Sequence, residues 1–224
     1  GQMPLVSPRR PPRSKDHVQL IAEKLFVERG SRTIIRDLSL TVAAGEAVIL
    51  SGRNGAGKTT LLRALAGFLR PSSGLVRLEG GDHEKTVGEQ AHVVGHANAV
   101  KANLTVRENV EFWARYLGRA AKDDTKVNLA LEHFGLRDLA EFPVAYLSAG
   151  QKRRVGLARL LAAWRPVWLL DEPTVSLDST STGLLAKAIE GHVEAGGLAI
   201  IATHIPLGLA RSRELALESR GRNL

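Results

Sequence analysis

The sequence contains no cysteine and no long apolar run. Without cysteine, disulfides, thiolate metal sites and thiol catalysis are excluded. No uninterrupted apolar run approaches the roughly 20 residues that a membrane-spanning helix needs. At 224 residues and 44% hydrophobic content, the chain can still bury the core of one compact unit or of two intimate lobes. We therefore expect a protein that is soluble or peripheral to a membrane.

The formal net charge of +8 suits two kinds of partner, and charge alone does not separate them. One is a nucleic acid, and the other is a polyphosphate handled beside an anionic membrane surface. Residues 1–17 are rich in Pro, Arg and Ser and predict a disordered basic leader that begins with a tag remnant, and 218–224 predict a tail. The terminal basic residues expected to be solvated are Arg9, Arg10, Arg13, Lys15, Arg211, Arg213, Arg220 and Arg222.

Strand and helix patterns alternate along one domain that we place at 18–217. Strands are predicted at 18–27, 34–42, 47–50, 167–170 and 198–202, and helices at 59–69, 106–117, 126–134, 152–163 and 181–194. Thr105 and Glu108 predict a capping box, and Gly118 and Gly135 predict helix stops. This order predicts an α/β fold with a mostly parallel sheet and a helical subdomain at about 96–163.

A glycine-rich loop between a buried strand and a helix is the strongest motif. Residues 52–59 read GRNGAGKT, which matches the phosphate-binding loop pattern in the required context. Backbone N–H groups of such a loop wrap phosphates, Lys58 can reach the outer phosphates, and Thr59 offers a hydroxyl to Mg²⁺. An ordinary tight turn does not account for the full match. The predicted ATP-binding residues here are Gly52, Arg53, Asn54, Gly55, Ala56, Gly57, Lys58, Thr59 and Thr60.

Two adjacent carboxylates follow the apolar segment 167–170. Parallel sheets place ligand chemistry at the carboxyl ends of their strands, so we expect Asp171 and Glu172 beside the loop. Asp171 is predicted to hold Mg²⁺ and Glu172 to activate water as the general base. A simple strand cap before Pro173 is the plainer alternative, and the preceding phosphate-binding loop disfavours it.

Two further motifs complete an order that is typical of one family. LSAGQKRR at 147–154 precedes the carboxylates, and PTVSLD at 173–178 follows them. Together the four motifs resemble those of ABC ATPases, the last two being the signature motif and the D-loop. This resemblance implies a P-loop NTPase domain with an antiparallel β portion and an inserted helical subdomain, working as a homodimer. A helix cap explains the signature locally, but not its place between the other motifs. The further nucleotide-binding residues implied are Ser148, Gly150, Gln151 and Asp178, with 148–151 serving the partner subunit's nucleotide.

Three residues are assigned from the resemblance alone. His204 resembles the switch histidine that contacts the γ-phosphate, although a histidine at a strand end is usually structural or exposed. Arg29 stands where many relatives stack an aromatic residue on adenine, and it is equally well read as a solvated hairpin arginine. His96 stands where relatives carry a metal-contacting glutamine. It is either a Mg²⁺ ligand or a residue that only shapes the loop.

Several segments resemble one branch of the family, the CcmA-type haem-exporter ATP-binding subunits of bacterial cytochrome c maturation. They are Gly95-His96, AVK at 99–101, LTVREN at 104–109, Phe112-Trp113 and PVWLL at 166–170. The resemblance implies ATP hydrolysis that drives release of haem-loaded haem chaperone. It also implies integral membrane partners of the CcmB, CcmC and CcmD types and a peripheral location on the cytoplasmic face of the inner membrane. The sequence itself shows no haem-ligand motif.

Two alternatives remain open at this point. One is the ATP-binding subunit of another ABC importer or exporter, which shares all the nucleotide chemistry. The other is a nucleic-acid-associated ABC ATPase, which the charge suggests. We expect no nucleic-acid partner, because such proteins usually carry two cassettes or a long coiled-coil insertion, and this sequence has one cassette and no heptad tract. Aromatic residues near Trp113 are candidates for a partner surface, although such residues more often belong to the core.

Overall fold

The structure, a computed structural model, describes residues 17–52, 55–117 and 124–217. Outside these ranges lie most of the predicted leader, Arg53, Asn54, the predicted helix stop at Gly118 and the predicted tail. In chain order the strands and helices are β1 (Gln19–Arg29), β2 (Arg32–Ala43), β3 (Ala47–Ser51), α1 (Gly55–Ala66), β4 (Ser73–Glu79), β5 (Ala91–Val94), α2 (Val106–Leu117), α3 (Asp124–His133), α4 (Ala149–Ala162), β6 (Val167–Asp171), α5 (Ser179–Glu194), β7 (Leu198–Ala202) and β8 (Arg213–Ala216).

The described residues form two sheets. Strands β2, β1 and β4 make an antiparallel sheet in that order. Strands β5, β6, β7, β3 and β8 make a parallel sheet in that order. Strands β3, β6 and β7 are therefore close neighbours and end at the same edge, as parallel connections require.

The parallel sheet is covered on both faces, which explains why its central strands are continuously apolar. Every residue of β6 and β7 is buried. Side chains alternate along β6: Val167 and Leu169 pack toward α1 and the antiparallel sheet, while Trp168 and Leu170 pack toward α5 and the other helices. The sheet thus separates two hydrophobic cores.

Helices α2, α3 and α4 pack on one another between β5 and β6 in the chain. The capping box predicted for α2 is confirmed, because Thr105 and Glu108 each accept a hydrogen bond at 3.0 Å from the other's backbone N–H. Gly135 follows the end of α3 with a φ of +66° and is a stop as predicted. Trp113 is buried, so of the two alternatives for this residue the structure supports a place in the core and not on a partner surface.

Several sequence expectations are corrected by the structure. Helix α1 begins at Gly55 and ends at Ala66, because Gly67 adopts a φ of +84° that terminates it before the predicted end. Strands β4, β5 and β8 were not predicted. Arg213 is not in a solvated tail: it lies in β8 and binds the carbonyl oxygen of Thr41 at 2.6 Å and the carboxylate of Glu46 at 3.3 Å.

Candidate active site

Functional side chains meet where the central parallel strands end. Helix α1, with Lys58 and Thr59, follows β3; Asp171 ends β6; and His204 follows β7. Because β3, β6 and β7 are parallel neighbours, their carboxyl ends bring these residues to one edge of the sheet.

Two sets of contacts join these residues. The hydroxyl of Thr59 donates to Oδ2 of Asp171 at 2.7 Å. The ammonium of Lys58 lies 3.5 Å from Nδ1 of His204, and Nε2 of His204 lies 3.1 Å from Oε1 of Glu172. These contacts suit the His204 tautomer with hydrogen on Nε2, which donates to the carboxylate while Nδ1 accepts from the lysine. The arrangement links a lysine predicted to bind phosphate to a candidate general base.

Lys58 is a buried cation that has no ion-pair partner among the described residues. Its side chain is 1% exposed, and among the described residues no carboxylate forms an ion pair with it. Burying an unpaired charge is costly, so such a group is normally compensated by an anion. Lys58 also lies in the first turn of α1, where the helix dipole favours negative charge. The site therefore fits a phosphate group.

The oxygen atoms of Thr59 and Asp171 form a donor pair that suits Mg²⁺. Both are hard ligands, and they already lie 2.7 Å apart. In the part of the chain that the structure describes, no group of three or more His, Asp or Glu residues could form an all-protein metal cage. Mg²⁺ is commonly bound by one or two protein oxygens together with phosphates and water, so this donor set fits a metal held jointly with a nucleotide.

The phosphate-binding loop is closely packed where it leaves β3. Gly52 has a φ of +131°, and a Cβ placed there would lie 2.6 Å from the carbonyl oxygen of Leu217. Only glycine fits this position without displacing backbone. Gly55, Ala56 and Gly57 form the first turn of α1. Thr60 is fully buried, and its hydroxyl has no hydrogen-bond partner among the described residues.

Glu172 adopts an uncommon backbone conformation. Its φ of +47° is left-handed, which costs a non-glycine residue about 1–2 kcal/mol. Its N–H donates to the carbonyl oxygen of Ala202 at 2.8 Å, which ties it to the end of β7. Its side chain is only 18% exposed, whereas that of His204 is 61% exposed. The strain is of the kind that clusters at functional sites.

The signature segment begins helix α4 with a well-formed cap. Ser148 is the N-cap, its hydroxyl accepts from the N–H of Gln151 at 3.2 Å, and the Gln151 side chain accepts from the N–H of Ser148. Gly150 packs closely against Ser176, because a Cβ added to Gly150 would lie 2.9 Å from the carbonyl oxygen of Ser176. The carboxylate of Asp178 caps α5 by accepting a hydrogen bond from the N–H of Ser181, and this bond lowers the pKa of the carboxyl group. Both helix starts are thus fixed locally.

The structure does not bring two of the predicted residues into this cluster. Arg29 is exposed at the end of β1, beside the hairpin turn at Gly30. His96 is exposed in the loop that follows β5, and within the described contacts it has no hydrogen bond to Asp171 or Glu172. Strand β5 does lie beside β6, so this loop leaves the sheet next to the strand that ends in Asp171.

Sequence reasoning missed Arg153, which lies on the second turn of α4 and is 2% exposed. Its guanidinium donates to the backbone carbonyls of Glu172 and Pro173. One signal could have found it. Arg153 shares a helix face with the buried Leu157 and Leu160, and a charged residue on such a face needs a partner.

Known proteins resemble this chain over most of its length. The ABC transporter family matches residues 35–175. "Cytochrome c biogenesis ATP-binding export protein CcmA" of Rhizobium meliloti (strain 1021) is 46% identical over 206 residues, covering 89% of this chain and 98% of that protein. The protein of the same name from Nitrobacter winogradskyi is 50% identical over 200 residues, with the same coverage of both chains.

This chain belongs to the CcmA-type ABC transporter ATP-binding proteins. A solved structure titled as a putative ABC transporter ATP-binding protein of Pyrococcus furiosus has the same fold, with a TM-score of 0.77 at 25% identity over 89% of this chain and 97% of that one. The resemblance to ABC ATPases and to their CcmA branch is confirmed, and with it the P-loop α/β fold. As a member of this family the CcmA-type chain binds and hydrolyses ATP. No helix within the described ranges is both long and apolar enough to span a bilayer.

Proposed function

We propose that this CcmA-type protein powers the haem exporter of cytochrome c maturation, in which ATP hydrolysis drives release of haem-loaded haem chaperone. It would act as a homodimer bound to integral membrane subunits of the CcmB, CcmC and CcmD types at the cytoplasmic face of the bacterial inner membrane. Support comes from relatives named for ATP-binding export in cytochrome c biogenesis, which match almost end to end. The observation that carries the chemistry is the series of contacts from Lys58 through His204 to Glu172.

The phosphates of ATP bind against the glycine-rich loop and the start of α1. Lys58 contributes its buried charge to the outer phosphates, and backbone N–H groups of the first helical turn donate to phosphate oxygens. Thr59 and Asp171 would hold Mg²⁺ through their oxygens. When bound, this ion neutralises negative charge on the phosphate oxygens during transfer.

Hydrolysis requires a base beside the terminal phosphate. Glu172 accepts a proton from the attacking water, whose oxygen bonds to the γ-phosphorus as the bond to the ADP oxygen breaks, leaving ADP and phosphate. His204 contacts both Glu172 and Lys58, so it orients the carboxylate. When ATP is bound, its single Nε2–H can donate to the γ-phosphate in place of Glu172. The partly buried position of Glu172 limits competing hydration of its carboxylate.

The signature residues are proposed to complete the site of a second subunit. Ser148 is exposed, and its described side-chain contact is with Gln151 of its own cap rather than with Lys58 or His204. The start of α4 can therefore present its hydroxyl and N–H groups to a nucleotide on another chain. Gly150, in the first turn of α4, and Asp178, the cap of α5, are assigned to the same dimer interface.

The general-base assignment is tested by Glu172→Gln. The amide cannot accept the proton, so the turnover rate should fall by about 10² to 10⁴-fold while ATP binding is retained. Glu132→Gln, an equal change at an exposed position of α3, is the control and should keep normal turnover. Near-normal hydrolysis by Glu172→Gln would remove this residue from the proposed role.

The partner assignment is tested by copurification with the membrane subunits. Phe112 and Tyr116 are exposed on α2 and stack at 5.7 Å between ring centroids, with the ammonium of Lys101 4.3 Å from the Phe112 centroid. Exposed aromatic residues of this kind are enriched in protein interfaces. Replacing both with Ala should abolish copurification and leave basal ATPase activity unchanged. Recovery of nucleic acid instead of membrane subunits with the parent chain would contradict the transport proposal.

A further inference from the structure

One side chain connects three parts of the active site. Arg153 lies on α4, the helix that begins with the signature motif, and is 2% exposed. Its Nε donates to the carbonyl oxygen of Pro173 at 3.2 Å, and its Nη2 donates to that of Glu172 at 3.1 Å. Its Nη1 donates to the carbonyl oxygen of Gly95 at 2.8 Å and to Oδ1 of Asn98 at 3.2 Å.

Every acceptor that the structure gives Arg153 is neutral. Burial lowers the pKa of its guanidinium, and no described carboxylate forms an ion pair with it. A buried charge without a counter-ion is unfavourable unless its donors are well satisfied. Four hydrogen bonds in the planar fork of an arginine meet that requirement, and few other side chains could reach all four acceptors at once.

The acceptors flank the residues assigned to catalysis. Glu172 is held in a left-handed conformation, and the bond from Arg153 to its carbonyl oxygen restrains the peptide plane next to its Cα. Gly95 and Asn98 lie on either side of His96. The same loop also packs directly on α4, because a Cβ at Gly156 would lie 3.0 Å from the carbonyl oxygen of Asn98.

We propose that Arg153 is a positioning residue that fastens the backbone of Glu172 and the His96 loop to the signature helix. This inference rests on the proposed function, in which Glu172 is the general base and Ser148 serves the nucleotide of a second subunit. A shift of α4 on contact with that nucleotide then moves the base in its own subunit. Arg153 thereby links the two ATP sites of a dimer through one rigid set of hydrogen bonds.

The test is Arg153→Met with Arg154→Met as a matched control. Arg154 is the next residue on α4 and also donates to two backbone carbonyls, those of Phe134 and Gly135, which lie away from the active site. We expect Arg153→Met to lower kcat by about 10 to 10²-fold with KM for ATP changed less than about threefold, because a small displacement of a catalytic group is that costly. Arg154→Met should keep kcat within about twofold of the parental value, although its loss in Tm should be similar to that of Arg153→Met.

A double variant separates positioning from general destabilisation. If Arg153 acts through Glu172, adding Arg153→Met to Glu172→Gln should not lower the residual single-turnover rate further. A multiplicative loss in the double variant, or an equal loss of kcat in Arg154→Met, would overturn the proposal. Should Arg153→Met fail to fold, Arg153→Lys replaces it, because it keeps the charge but cannot span the acceptors. It should then lower kcat at least about fivefold.

The proposed function fails in a different way. If Glu172→Gln hydrolyses ATP normally, the general-base assignment is wrong whatever Arg153 does. If Glu172→Gln is inactive while Arg153→Met and Arg153→Lys both keep parental kcat, only the positioning role is refuted.

Discussion

Lowering the pH from 7.5 to 5 should destabilise this fold through two buried histidines that contact the ring of Trp168. His92 meets the Trp168 ring edge-on at 6.4 Å, and His192 stacks on it at 4.0 Å. Nε2 of His92 is 2.7 Å from the carbonyl oxygen of Ala163, so the buried ring donates its one hydrogen there. Burial lowers the pKa of His92 to about 3 and that of His192 to about 4.

The size of the effect follows from these pKa values. In the unfolded chain a histidine has a pKa near 6.5, so below that pH the unfolded state binds protons that the folded state does not bind. Because both pKa values are lowered in the folded state, the contribution of the two neutral histidines to the unfolding free energy is complete above pH 6.5. This contribution is lost as the pH falls toward 4. Between pH 7.5 and 5 each histidine should remove about 2 kcal/mol, or about 4 kcal/mol together, from a typical unfolding free energy of about 5–15 kcal/mol.

Urea unfolding at a series of pH values, followed by tryptophan fluorescence, measures this loss. His92→Gln keeps a donor for Ala163 but cannot titrate, so its unfolding free energy should fall by about 2 kcal/mol less than that of the parent over the same interval. His83→Gln, at an exposed loop position, should behave like the parent. A parental stability that is flat from pH 7.5 to 5, or an unchanged slope in His92→Gln, would refute the reasoning.

Three further outcomes are expected. Gly52→Ala should lower the unfolding free energy by about 1–3 kcal/mol and weaken ATP binding, because the added Cβ would lie 2.6 Å from a backbone oxygen. The control is Gly183→Ala on α5, where the added Cβ has no atom within 4 Å, and this change should not be destabilising. Mixtures of Ser148→Arg and Lys58→Ala subunits should recover one intact composite site per mixed dimer and hence more ATPase activity than either variant alone. If confirmed mixed dimers stay inactive, independent composite sites are excluded. His96→Ala should lower kcat, whereas His96→Gln should have a kcat close to that of the parent. Equal kcat values for the parent and both variants would indicate that His96 only shapes its loop.

Local patterns were sufficient for much of this fold. Helix α2 occupies Val106–Leu117 as predicted, because its apolar period and its Thr105–Glu108 cap are encoded within a few residues. The glycine-rich loop and the paired carboxylates are likewise contiguous motifs, so their residue types and spacing alone imply ATP chemistry. Strands β4 and β8 escaped prediction because they are mostly exposed, so their pairing partners rather than their own periodicity make them strands.

By itself the sequence determined the fold family, the nucleotide chemistry and the residue types that we propose perform it. Only the tertiary structure decided which of those residues touch. Thr59 and Asp171 are 112 positions apart and meet because β3 and β6 end at the same edge of one sheet. The bonds of Arg153 could not be read from a motif, since three of its four acceptors are backbone carbonyl oxygens that every residue carries, and only the packing of α4 against two loops selects them.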